Sequence, residues 1–117
     1  MVRGTEILFS MAVGFLLVHE LDAIRQHEWR FFFAPMSIGD ESAYWVFTAL
    51  HVPLFAVLLV YANSLAFQIG FDGFAIVHGM LHLAFRNHPL VEFDNWFSRF
   101  WIFGASLLGV LHLLFIL

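Results

Sequence analysis

The first apolar segment of the chain ends in a polar run, Val18-His19-Glu20-Leu21-Asp22-Ala23-Ile24-Arg25-Gln26-His27-Glu28-Trp29-Arg30. Residues 7–18, immediately before it, contain one polar side chain, Ser10. Three carboxylates, two histidines and two arginines then follow within 13 positions. Ionisable side chains are costly in an apolar helix and usually face a cavity or one another. We therefore expect the other helices to be arranged around this run.

The composition is typical of an integral membrane protein. Of the 117 residues, 62% are hydrophobic and 12% are charged, and the mean hydropathy is +0.85. Soluble domains are about 45–50% apolar and about 25% charged. The absence of cysteine excludes a disulfide or a thiolate metal site. A net charge of −4 excludes the basic surface of a nucleic-acid-binding protein, so the predicted partner is membrane lipid.

The sequence contains four helical segments of membrane-spanning length, separated by turn and capping residues: 5–25, 41–61, 65–85 and 96–117. About 20 apolar residues span a bilayer core. The pattern of the first segment allows an extension to Phe33, where Ala34-Pro35 stops it. Because lipid permits only helices or closed barrels, the sequence predicts an all-α polytopic membrane protein. Its single domain, 1–117, would be an antiparallel four-transmembrane-helix bundle.

The arginines predict the orientation of this bundle. Arg25 and Arg30 lie between the first and second segments, and Arg86 and Arg99 flank the connection between the third and fourth. Arg3 is the one arginine at the opposite side. By the positive-inside rule, both longer loops are cytoplasmic and both termini are external.

Histidines and one aspartate gather towards the cytoplasmic ends of three segments. His78 and His82 are spaced i,i+4 on one helix face, the spacing of a helical chelate for zinc and other first-row metals. His19 and Asp22, spaced i,i+3, also share a face. His51 lies about ten residues into its helix, so all five lie within about 15 Å of the cytoplasmic boundary.

This convergence predicts a metal centre with the ligands His19, Asp22, His51, His78 and His82. An all-nitrogen and oxygen ligand set favours Zn, Fe or Mn as the divalent cofactor. Glu20 and Glu28 are then the candidate catalytic bases that would take a proton from metal-bound water. A lipid-like substrate would enter between the helices. If the metal is iron, hydroxylation is the competing reaction.

The same residues allow interpretations without chemistry. His19 and Asp22 could form an interhelical hydrogen bond that fixes packing. His51 could bond the carbonyl of Ala49, which Pro53 leaves without its helical donor. His112 lies near the external end of the fourth segment, away from the other histidines.

For His112 we expect Asp72 or Glu6 as the partner. Under the interpretation without chemistry, the protein is a non-enzymatic subunit. Its Gly104 and Gly109 face would then dock a second copy or a larger membrane complex. A third interpretation is a subunit that binds haem or another pigment through histidine.

Four pieces of sequence together resemble one group of proteins: His19-Glu20-Leu21-Asp22-Ala23, His51-Val52-Pro53, His78-x3-His82 and Arg86-Asn87-His88-Pro89. The combination resembles small uncharacterised bacterial integral membrane proteins named for an H-x-x-E-E motif, and related domains of unknown function. Position 22 holds Asp where that motif has Glu, and position 23 holds Ala where it has a second Glu. The resemblance implies the bundle, the site and a location in the bacterial inner membrane, and it implies no activity.

Overall fold

A computed structural model describes all 117 residues, and the chain is helical throughout, without strands. Its helices are α1 (Gly4–Arg25), α2 (Glu28–Phe32), α3 (Asp40–Ala49), α4 (His51–Tyr61), α5 (Leu65–Ala84) and α6 (Trp96–Ile116). Helix α6 packs closely against both α1 and α5. Helix α3 continues into α4 across Leu50, and α4 has few close backbone contacts with the other long helices. The predicted all-helical class is confirmed.

Three helical units are long and apolar enough to cross a membrane: α1, the combined α3–α4 unit Asp40–Tyr61, and α6. Helix α5 is 20 residues long, but polar residues lower its hydropathy, among them Asp72, His78 and His82. Large hydrophobic side chains such as Leu59 and Leu114 are exposed, as expected for side chains that contact lipid. These features are consistent with an integral membrane protein.

Small residues of α6 allow the close packing of α1 and α5. A Cβ atom on Gly109 would lie 3.3 Å from the main-chain oxygen of Asp72 in α5. A Cβ atom on Gly104 would collide with the ring of Phe15 in α1. The Gly104 and Gly109 face is therefore packed within the chain, and assembly with a partner stays a prediction.

The apolar core has two parts. One joins α1, α4 and α5 through residues such as Leu16, Leu58 and Phe71. The other surrounds α2 and the start of α3, and includes Trp29, Phe47 and Ile102. Trp29, on α2, is thus part of the core and not only of an interfacial belt.

Candidate metal centre

His19 occupies an unusual position on the buried face of α1. Its side chain is 0% exposed, and neither ring nitrogen has a hydrogen-bond partner. A buried polar group left without a partner costs about 1–3 kcal/mol. The ring lies against those of His78 and His82, with centroids 4.7 Å and 5.1 Å away. The unpaired nitrogens of His19 are therefore surrounded by other potential metal ligands.

A sharp turn after α1 brings Glu28 to this group. Helix α1 ends at Arg25, and His27 takes the left-handed conformation with φ 56° and ψ 40°. If the helix continued to Phe33, Glu28 would lie about 14 Å from His19 along the axis. Because the chain turns back at His27, Glu28 Oε2 instead lies 3.7 Å from His19 Nε2.

Contacts on both sides of α2 hold this turn in place. The carboxylate of Asp40 accepts hydrogen bonds from Trp29 Nε1 at 3.0 Å and from Arg30 Nε at 2.9 Å. The bond to Asp40 raises the pKa of the Arg30 guanidinium, so the pair stays charged. On the other side, His27 Nδ1 lies 3.1 Å from Glu92 Oε2. Helix α2 is thus fastened to α3 and to the α5–α6 loop.

The four donors His19, Glu28, His78 and His82 lie within 4.8 Å of one another. The two Nε2 atoms of His78 and His82 are 3.2 Å apart, and His82 Nε2 is 3.5 Å from Glu28 Oε1. Ligands bonded at about 2.0–2.1 Å to a tetrahedral zinc ion lie about 3.3 Å apart. The spacing of these side chains therefore fits a first-row metal with little rearrangement.

The His/Glu group opens onto apolar space. A cavity of about 470 Å³ has Glu28 and His78 on its wall, together with Glu20 and His51. Most of its remaining lining is aliphatic or aromatic, including Phe47 and other residues from α3, α4 and α5. An apolar cavity with a few converging polar groups is the usual form of a small-molecule site.

Glu20 and His51 form a second polar pair on the wall of this cavity. His51 Nδ1 donates to the carbonyl oxygen of Phe47 at 2.8 Å, so Nε2 of a neutral ring has a lone pair. Nε2 lies 2.5 Å from Glu20 Oε2. Two lone pairs cannot approach this closely, so the pair shares one proton.

A model of a family of unknown function, DUF6713, matches residues 5–117. The chain belongs to this family. No curated protein and no solved structure matches it. The match to DUF6713 fits the expected resemblance to an uncharacterised domain, and it carries neither an H-x-x-E-E motif nor a bacterial origin.

The fifth predicted ligand of this DUF6713 chain, Asp22, lies in a different environment. Its Oδ2 accepts a hydrogen bond from Ser98 Oγ of α6 at 2.5 Å, and its Oδ1 accepts one from Gln26 at 3.4 Å. Asn95, the N-cap of α6, donates to the same Ser98 hydroxyl at 3.1 Å. Asp22 therefore ties α1 to the start of α6.

The structure brings together three of the five predicted ligands, His19, His78 and His82. It places Asp22 against α6 and pairs His51 with Glu20. His51 also bonds the carbonyl of Phe47, and not that of Ala49.

Glu28 was predicted as a base, and its carboxylate lies among the potential ligands. Only its position after the first apolar segment marked it in the sequence. The left-handed turn at His27 has no clear local signal, because the residue is not glycine.

Proposed function

We propose that this protein is an integral membrane protein that binds a divalent metal through His19, Glu28, His78 and His82. We further propose that it uses the metal as an enzyme acting on a lipid-like substrate. Helices α1, α3–α4, α5 and α6 span the bilayer as an antiparallel bundle. Both termini are external, and the metal lies near the cytoplasmic face.

The burial of His19 is the observation that carries this proposal. Buried polar groups in proteins are nearly always paired, yet both ring nitrogens of His19 lack a partner within the chain. A cation at the centre of the four donors gives each a partner at bonding distance. With three imidazoles and one carboxylate, the site suits Zn, Fe or Mn.

The burial of its polar side chains supports α5 as the fourth span. Asp72 is fully buried, and the His82 side chain is 10% exposed. The exposed side chains of α5 are apolar, including Phe74, Val77 and Leu81. Because the polar groups of α5 face the other helices, the helix can cross lipid despite its lower mean hydropathy.

Hydrolysis is the reaction that this arrangement supports best, because it needs only water beside the substrate. A bound metal lowers the pKa of its water and so supplies hydroxide. Glu20 and His51 hold one transferable proton on the wall of the cavity. The hydroxide adds to an ester carbonyl, and the pair protonates the departing alkoxide. The proton released by the next water returns to the pair, so the cycle balances.

Metal analysis of the purified protein tests the proposal. We expect about one Zn, Fe or Mn per chain, as in a closed four-ligand site. The double variant His78→Ala/His82→Ala removes two donors from α5 and should lose the metal. An absorption spectrum of the same sample tests the pigment alternative, since a bound haem produces visible absorption.

The single variant His88→Ala is the matched control. His88 lies in the α5–α6 loop, where its ring Nδ1 accepts a hydrogen bond from the Leu90 amide at 3.1 Å. This variant also removes a histidine, and it should keep the metal. A metal-free parent protein, or equal metal content in the double variant and the parent, would contradict the proposal.

A further inference from the structure

A second apolar cavity of about 440 Å³ lies between α4 and α5. Val57 and Leu58 line it from α4, and Phe67, Gly70 and Phe71 line it from α5. None of its lining side chains is polar. This space, which we call the α4–α5 groove, therefore offers apolar surface alone.

The groove adjoins the cavity at the His/Glu group. Leu54 of α4 and Phe74 of α5 line both spaces. The two helices have little close backbone contact here, so the space between them is not filled by their own packing. From Leu50 at the site end to Leu58 in the groove, the wall runs about 12 Å along the helix axis. The combined space is long and narrow.

The polar groups of this space are confined to one end. Glu20, Glu28, His51 and His78 line the cavity at the site, and the groove beyond it has none. No arginine lines either space, so an anionic head would meet two carboxylates and no cationic side chain. An uncharged head that contains oxygen fits the polar end better than a phosphate does.

We propose that the α4–α5 groove holds the hydrocarbon chain of a neutral single-chain amphiphile. The head of this ligand is an alcohol, an aldehyde or an ester, and it lies at the His/Glu group. The inference names the substrate class of the proposed enzyme, so the reaction at the head rests on that proposed function. Burial of the chain does not require a metal, since it is driven by apolar contact.

Photo-crosslinking with a defined probe tests the groove. The probe is hexadecanol that carries a diazirine at the chain end, added to the full protein in phosphatidylcholine nanodiscs. We expect labelling on the groove-lining residues of α4 and α5. Unlabelled hexadecanol should compete strongly, and octanol should compete weakly because it buries fewer methylene groups.

Two glycines of α5 provide a matched pair of variants. Gly70 lines the groove and Gly73 does not, and a Cβ atom at either would meet nothing within 4 Å. Gly70→Phe places a ring in the groove, so we expect labelling to fall at least about tenfold as buried methylene groups are displaced. Gly73→Phe should label like the parent.

A variant at the far end adds a test that does not depend on blocking the groove near its middle. Ala66 lines the groove close to the start of α5. Ala66→Phe shortens the groove, so the preference among competing alcohols should move to shorter chains. An unchanged preference would contradict the placement of the chain.

Labelling spread evenly over the lipid-facing helices would mean bulk lipid contact only and would overturn the inference. Equal labelling of the Gly70→Phe variant and the parent would also overturn it. Metal content measured in the same samples separates the two proposals. Groove labelling in metal-free protein supports the groove and contradicts the metal enzyme, and metal without groove labelling does the reverse.

Discussion

The buried Asp72–His112 pair and the His19 group are both polar clusters in an apolar bundle, and they differ in how their polar atoms are satisfied. His112 Nδ1 lies 2.6 Å from Asp72 Oδ2, between α5 and α6. His19 has neighbours on α2 and α5, yet neither of its ring nitrogens has a hydrogen-bond partner. The expected partnership of His112 with Asp72 is thus present in the structure.

The surroundings of the two groups differ in the same sense. The Asp72–His112 pair is packed against Phe9 and lines none of the cavities described above. The His19 group borders a cavity of about 470 Å³ through Glu28 and His78. A pair that satisfies itself in a closed core holds helices together. A cluster with unpaired donors beside a cavity is suited to a ligand.

Replacement of His19 by leucine should give the largest effect. Loss of a ligand should weaken metal binding by more than about 100-fold, the upper range for residues that only support ligands. Without metal, His19→Leu should be as stable as the parent or more stable, because two unpaired nitrogens leave the core. Thermal unfolding with and without added Zn²⁺ measures both quantities. Stabilisation by Zn²⁺ equal to that of the parent would exclude His19 as a ligand.

Removal of Asp72 should affect stability and leave the metal site intact. In Asp72→Ala, the buried His112 loses its partner, and we expect a loss of about 1–3 kcal/mol in the free energy of unfolding. Unfolding in detergent mixtures measures this change, and metal analysis of the same samples should match the parent.

The variant Asp72→Asn is the control for this comparison. Its side-chain oxygen can still accept a hydrogen bond from His112, so it should lose less stability than Asp72→Ala. Full stability in Asp72→Ala, or loss of metal in either variant, would remove the proposed distinction between the two groups.

The turn at His27 should give the smallest effect. His27→Gly and His27→Ala both remove the contact with Glu92. The left-handed conformation costs residues other than glycine about 1–2 kcal/mol, so His27→Gly should be more stable than His27→Ala by about this amount.

The matched control lies at the preceding residue, Gln26, where φ is −86°. Here glycine has no conformational advantage, so Gln26→Gly should be no more stable than Gln26→Ala. If the two substitutions rank alike at positions 26 and 27 in chemical denaturation, the backbone at His27 does not hold Glu28 in the group.

Much of the helical structure could be read from the chain alone. The four long helical units begin and end at or next to the residues expected from the apolar runs, turn residues and caps. The shared face of His78 and His82 followed from their i,i+4 spacing, since a helix places such residues one turn apart. These features depend on local chemistry, which is present in any short window of sequence.

The membership of the His19 group depends on how the helices meet. Depth along the helices placed Asp22 and His51 with the other ligands, but depth does not determine which neighbour a side chain faces. Close packing of α1 on α6 directs Asp22 to Ser98. The position of α4 brings His51 to Glu20, 31 residues earlier in the chain.

The sequence alone determined that the chain is helical and apolar, and that its histidines lie near one end of three helices. Periodicity and hydropathy are sufficient for this, because both act over neighbouring residues. Only the tertiary structure decided that Glu28 joins His19, His78 and His82, through a left-handed turn at His27. Such a turn is held by contacts from α3 and the α5–α6 loop, which are distant in sequence, so no local pattern could specify it.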